Sequence, residues 1–109
     1  MLSTTVSNRI ELEISINAAR AVCKRLVTEL GWKVIRQHDD LVKLKAEVQD
    51  GQEFVWPAEV EIKIIADRSG VTCFLLKGSS LGNGPRQKGH IEAQLSEIRN
   101  KIEGIAEKT

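Results

Sequence analysis

The chain has 109 residues, which allows one domain with a single modest core. Hydrophobic residues make up 41% and charged residues 28%, an ordinary balance for a water-soluble domain. The net charge of +1 excludes a bulk electrostatic pull toward DNA, membrane surfaces or acidic partners, and no apolar run approaches the length of a membrane span.

Residues 1–8 are polar and are expected to form a flexible N-terminus, which leaves 9–109 as the folded domain. The opening MLSTTVSNR lacks the basic start and apolar stretch of a secretory leader, so a cytoplasmic setting is expected. From Arg9 onward, Ile10, Leu12, Ile14 and Ile16 alternate with Glu11, Glu13 and Ser15, the pattern of a half-buried strand. Asn17 then suits a helix N-cap, because its side chain can accept from an unpaired backbone N–H of the first turn. Ala19, Val22, Cys23, Leu26 and Leu30 follow at steps of three and four as one apolar stripe. Gly31 suits the left-handed stop, with Trp32 folding back over the last turn.

Trp32 to His38 reads as a second strand, and His38 to Leu41 as a tight turn. Val42, Leu44, Ala46 and Val48 alternate with Lys43, Lys45 and Glu47 as a third strand. Asp50-Gly51 supplies turn chemistry. Glu53 to Ala66 is a fourth strand interrupted at Pro57, which cannot donate to a sheet ladder. Ala58, Val60, Ile62, Ile64 and Ala66 share one of its faces. Asp67 to Gly70 closes a hairpin. Val71 to Lys77 is nearly all apolar, as suits a central or doubly covered strand. Gly78 to Gly89 is expected to be irregular. A last helix begins between Pro85 and His90, and Ile91, Leu95, Ile98, Ile102 and Ile105 form its seam. The seam is too short for a coiled coil and fits a helix laid across a sheet.

The order strand, helix, four strands, helix predicts an α+β fold: one antiparallel sheet of about five strands with two helices on one face. In that order, and in the opening segment RIELEISINAARAV, the chain resembles START-type and polyketide-cyclase-like helix-grip domains, while GWKVIRQHDDLVKLKAEV, VEIKIIADRSGVTCFLLKGSS and the terminal helix resemble several families of small bacterial domains. In element order it also resembles the TATA-binding-protein half-repeat. A START-type resemblance implies a carrier holding an apolar ligand between the sheet and the last helix. A cavity lined by Ile62, Ile64, Leu95 and Ile98 would favour that role. TATA-binding proteins present an apolar and basic face to DNA. Here the open face carries Glu11, Glu13, Lys43, Lys45, Glu47, Glu59, Glu61 and Lys63, the mixed signs of a solvated surface.

Catalytic chemistry is hard to find. His38 lies beside Asp39 and Asp40 but no nucleophile is marked near it. Glu59 and Glu61 share a strand face, as solubilising carboxylates commonly do. Cys23 and Cys73 are expected as buried free thiols in a reducing compartment, not as zinc ligands. No catalytic residue, metal or cofactor is expected.

Two groups stand out as candidate binding residues. Charge is segregated along the chain: no acidic residue occurs from Arg68 to Ile91, while Lys43 to Asp67 holds six acidic and three basic residues. Arg86, Lys88 and His90, in the glycine-rich 78–90 stretch, are therefore candidates for weak anion or nucleic-acid contact at a helix N-terminus. The stretch departs from a P-loop, since His90-Ile91 stands where lysine and serine or threonine are required. Phe54 and Trp56, two apart beside Pro57, are candidates for gripping a ligand or partner at a sheet rim. Ile35, Phe74 and Leu76 are expected to add apolar area to the far face of the sheet, suited to a dimer interface. The reading is a small non-enzymatic binding or protein-interaction module, its partner a protein or a second copy of itself; the alternatives are a carrier of a small apolar ligand and a weak nucleic-acid or anion binder.

Overall fold

The computed structural model describes residues 3–46, 57–82 and 84–108. Seven elements follow in the order β1 (Ser3–Leu12), α1 (Ile16–Leu30), β2 (Lys33–His38), β3 (Leu41–Lys45), β4 (Glu59–Arg68), β5 (Val71–Leu81) and α2 (Pro85–Glu107). The strands form one antiparallel sheet in the spatial order β1-β5-β4-β3-β2. The expected element order is therefore present, with β5 in an interior position.

Alternation decides the faces. One row crosses the sheet through Val6, Gly78, Val60, Leu44 and Val34, and a parallel row joins Ile10, Phe74 and Ile64. Both belong to the inner face, where Val60, Leu44 and Phe74 are fully buried. The stripe Ala19, Val22, Cys23 and Leu26 of α1 and the seam Ile91, Leu95, Ile98, Ile102 and Ile105 of α2 meet this face in one hydrophobic cluster. The long last helix thus lies across the sheet, over β1 and β5 and beside α1. Ile62, Ile64, Leu95 and Ile98 are each 5% exposed or less, so the place expected to hold a carrier's ligand is packed with side chains.

Several expectations are corrected. The N-terminus is no loose tail: β1 starts at Ser3 and pairs with β5 from Ser3 opposite Leu81 to Leu12 opposite Thr72. Correspondingly, of the stretch expected to be irregular, Gly78 to Leu81 belongs to β5 and Pro85 to Gly89 to α2. Ile16 belongs to α1, and its N-cap is Ser15, whose Oγ accepts from Ala18 N at 3.1 Å. Asn17 instead accepts from Arg20 Nη1 at 3.2 Å. Gly31 does terminate α1 in the left-handed region at φ 65°, donating to Val27 O, and Trp32 packs partly buried against the core. Phe74 and Leu76 point into the core, not to the far face; Ile35 is exposed on the edge strand β2, at a register shift between Val34 and Arg36. Cys23 and Cys73 are buried free thiols, as expected. No helix among the described residues is long and apolar enough to cross a membrane.

Candidate functional site

The structure separates the residues singled out by sequence. Phe54 and Trp56 lie outside the described residues. Arg86, Lys88 and His90 are not in a loop but in the opening turns of α2. Arg86 and Lys88 are exposed, and Lys88 Nζ stands 3.8 Å from Glu92 within the helix. Lys88 and His90 are two residues apart and so point about 160° away from each other around the helix. They do not form one basic patch.

His90 belongs with a residue that sequence reasoning passed over, Gln94. The two are one helical turn apart and share a flank. His90 Nε2 and Gln94 Oε1 are both buried, and neither has a hydrogen-bond partner. Their position follows from the packing of α2. Ile91 and Leu95 rest over Gly78 of β5, whose sheet partners are Val6 and Val60. Arg99, on the opposite flank, reaches outward to Asn8 Oδ1 of β1 at 3.3 Å. The His90–Gln94 flank is therefore turned away from the β1 edge.

This end of the interior is polar at its rim. Gln87, 3% exposed, extends the isoleucine seam by one turn and donates from Nε2 to Ser80 Oγ at 2.6 Å. Thr4 Oγ1 donates to Gly82 O at 2.8 Å. Here too β3 ends at Lys45 and β4 starts at Glu59, and just outside the paired residues the Ala46 N–H donates to Ala58 O at 3.4 Å. An open cleft of about 570 Å³ lies at this end of the sheet but on its outer face, away from the helices, with Ser3, Lys45, Glu59, Ser79 and Leu81 among its walls; His90 and Gln94 do not line it. The signal available in sequence is weak: polar residues at 87, 90 and 94, on or beside the inward seam of the last helix, where isoleucine and leucine otherwise dominate.

Other polar groups are accounted for by their neighbours. Asp40 does not orient His38. Both its carboxylate oxygens accept from Arg20, at 2.7 and 3.1 Å, and this pairing holds the carboxyl below its ordinary range. His38 Nε2 accepts from Arg36 Nε at 3.0 Å on the exposed edge strand. On the outer face, donor atoms of Glu11, Asp67 and Cys73 lie within 4.8 Å of one another, a spacing that a metal ion could use. Arg9 Nη2 already stands there, 3.0 Å from Glu11, 3.7 Å from Asp67 and 3.1 Å from Cys73 Sγ. Its guanidinium supplies the positive charge, and the Glu11 hydrogen bond foremost, then Cys73, keep it firmly protonated. Burial pushes the Cys23 thiol up to about 11, so it is neutral and poorly nucleophilic at neutral pH.

No family model matches the sequence, and no curated relative does. Solved structures do share its fold. CalU16 from Micromonospora echinospora superposes with a TM-score of 0.71 at 9% identity, covering 95% of this chain and 76% of that one. A START superfamily protein from Mycobacterium smegmatis gives 0.62 at 14% identity, over 95% of this chain and 97% of that one. The Zhui aromatase/cyclase from Streptomyces sp. R1128 gives 0.59 at 9% identity, over 98% and 95%. At these identities the likeness is one of architecture, and it agrees with the helix-grip resemblance of the sequence.

Proposed function

We propose that this chain is a small non-catalytic binding domain that takes a small molecule at the polar end of its helix–sheet interior, against His90 and Gln94. One observation carries the reading: two buried polar atoms, one turn apart on the same flank of α2, lack partners. Each such atom costs about 1–3 kcal/mol in lost hydration, and native proteins leave few of them without an explanation. A ligand that supplies the missing bonds accounts for both. The packed centre of the interior confines the ligand to this end, in contrast to a carrier that encloses its cargo around Ile62, Ile64, Leu95 and Ile98.

A binding role is favoured over catalysis by the state of the reactive groups. His38 is held by an arginine, His90 Nε2 has no partner to orient it, and Cys23 is kept neutral by burial. An activated nucleophile or general base needs an orienting neighbour within hydrogen-bond reach.

Native mass spectrometry of the protein purified from its own host tests the reading. The expected result is a monomer mass plus a small-molecule adduct, lost in Gln94→Met. That variant keeps the volume of the side chain and removes the orphaned acceptor, so it should melt at or above the temperature of the parent. A clean monomer, with Gln94→Met less stable than the parent, would refute the proposal. A doubled mass with no adduct would transfer the function to self-association.

A further inference from the structure

Resting on that reading, we infer that the buried end of the ligand is a neutral group that donates and accepts a hydrogen bond at the same time, a hydroxyl or a carboxamide, met jointly by His90 Nε2 and Gln94 Oε1. The inference concerns the specificity of the site and follows from the donor inventory of its two atoms. A glutamine Oε1 is a carbonyl oxygen and only accepts, so the ligand must bring a donor to it. A neutral imidazole nitrogen either donates or accepts, and Nε2 bonds to nothing. The two atoms do not bond to each other although they project from the same flank. One small group placed between them, giving a hydrogen to Gln94 and sharing one with His90, satisfies both.

Charged alternatives fit less well. A carboxylate has no hydrogen to give and would set its lone pairs against those of Gln94 Oε1. An ammonium could donate to both atoms, but it would shed its water where no carboxylate among the described residues is seen to replace it. Arg86, one turn before His90, Glu97, three residues after Gln94, and Lys101 are the charged residues along this flank of α2; Arg86 and Glu97 are exposed to solvent. From α1, the hydrophobic cluster draws Ala19, Val22, Cys23 and Leu26, with Ile16, Val27 and Leu30 packed against it. Ile91 and Leu95, which follow the two polar residues on the inward seam of α2, are fully buried and apolar, so the body of the ligand is apolar too. Ordered water is the competing occupant, and it would show no preference among ligand head groups.

Calorimetric titration with four probes sharing one ring system tests this: naphthol, naphthamide, naphthoate and methylnaphthalene. Naphthol or naphthamide should bind about tenfold tighter than both naphthoate and methylnaphthalene. The tighter of the two identifies the head group. In Gln94→Met that advantage should vanish, with methylnaphthalene binding unchanged; His90→Leu gives the same readout if the first variant fails to fold. Equal binding of all four, tightest binding of naphthoate, or a head-group preference that survives both variants overturns the inference and leaves the binding reading standing. If none of the four binds, both fall.

Discussion

Gly78 of β5 and Ile91 of α2 are in such close contact that a Cβ on Gly78 would collide with Ile91 Cγ2, with Leu95 Cδ2 3.5 Å away. The last helix is therefore seated directly on strand backbone at this point, and ligand access on the β5 side is closed. Gly78→Ala should destabilise the protein by about 1–3 kcal/mol through overpacking. Gly104→Ala is the control: it lies inside α2 with open space around it, and should stabilise by roughly 0.5–1 kcal/mol. Urea denaturation measures both. In an Ile91→Ala background the cost of Gly78→Ala should largely disappear, because the colliding methyl is gone. A neutral Gly78→Ala would mean that α2 is not held there.

The same contact explains what the sequence concealed. Residues 78–81, Gly-Ser-Ser-Leu, have little strand propensity, and residues 3–8, Ser-Thr-Thr-Val-Ser-Asn, are polar. Each segment looks irregular alone. They become strands by pairing with each other, Ser3 with Leu81 through Asn8 with Leu76, nearly the full length of the chain apart. Local pattern cannot report a partner so distant. By contrast, Ile10, Val60, Ile62 and Ile64, or Ile91, Leu95 and Ile98, announce their faces by spacing alone, because burial of one face is a local periodicity. The site shows the same division. His90 stands out in sequence as a residue type, but within a glycine-rich stretch that reads as a loop. Gln94 does not stand out, since an uncharged polar residue on a helix is ordinary until its surroundings are known.

Helix α1 begins two residues earlier than its sequence suggests, and the two candidate caps can be told apart by experiment. Ser15 Oγ accepts from Ala18 N, whereas Asn17 bonds only to Arg20 on the exposed side. Ser15→Ala should cost about 1 kcal/mol in stability, and Asn17→Ala clearly less. Equal losses would contradict this capping geometry.

Arg20 ties α1 to the turn between β2 and β3 by a two-pronged contact with Asp40. The hydrogen bond from Arg20 holds the Asp40 carboxyl below its ordinary value. A carboxyl depressed on folding contributes stability that is fully present above its unfolded pKa, about 3.9, and is lost as pH falls through its lower folded value. Asp40→Asn should therefore lower the melting temperature slightly at neutral pH and have a smaller effect below pH 3. Melting temperatures of the two proteins compared from neutral pH down to about pH 2 test it, given that surface pairs contribute little. A gap between the two curves that stays constant with pH would show that the Asp40 carboxylate is not the group responsible.

Cys23 gives the opposite, alkaline signature. Its thiol sits on the inward stripe of α1, and burial raises its pKa from the ordinary 9.0 to about 11. Unfolding frees the thiol to ionise at its ordinary value. Above pH 9 the unfolded state therefore binds fewer protons than the folded state, and stability falls as pH rises until the folded thiol itself ionises near 11. Cys23→Ala loses packing at every pH, so its absolute stability is lower. Its slope between pH 9 and 11 should nonetheless be shallower than that of the parent. Alkylation supplies an independent check, because only the thiolate reacts. At pH 8, iodoacetamide should modify Cys23 many times faster in urea than in the folded protein, as read by peptide mass mapping. Rapid labelling of Cys23 in the native state would show that α1 does not stay closed over this part of the sheet.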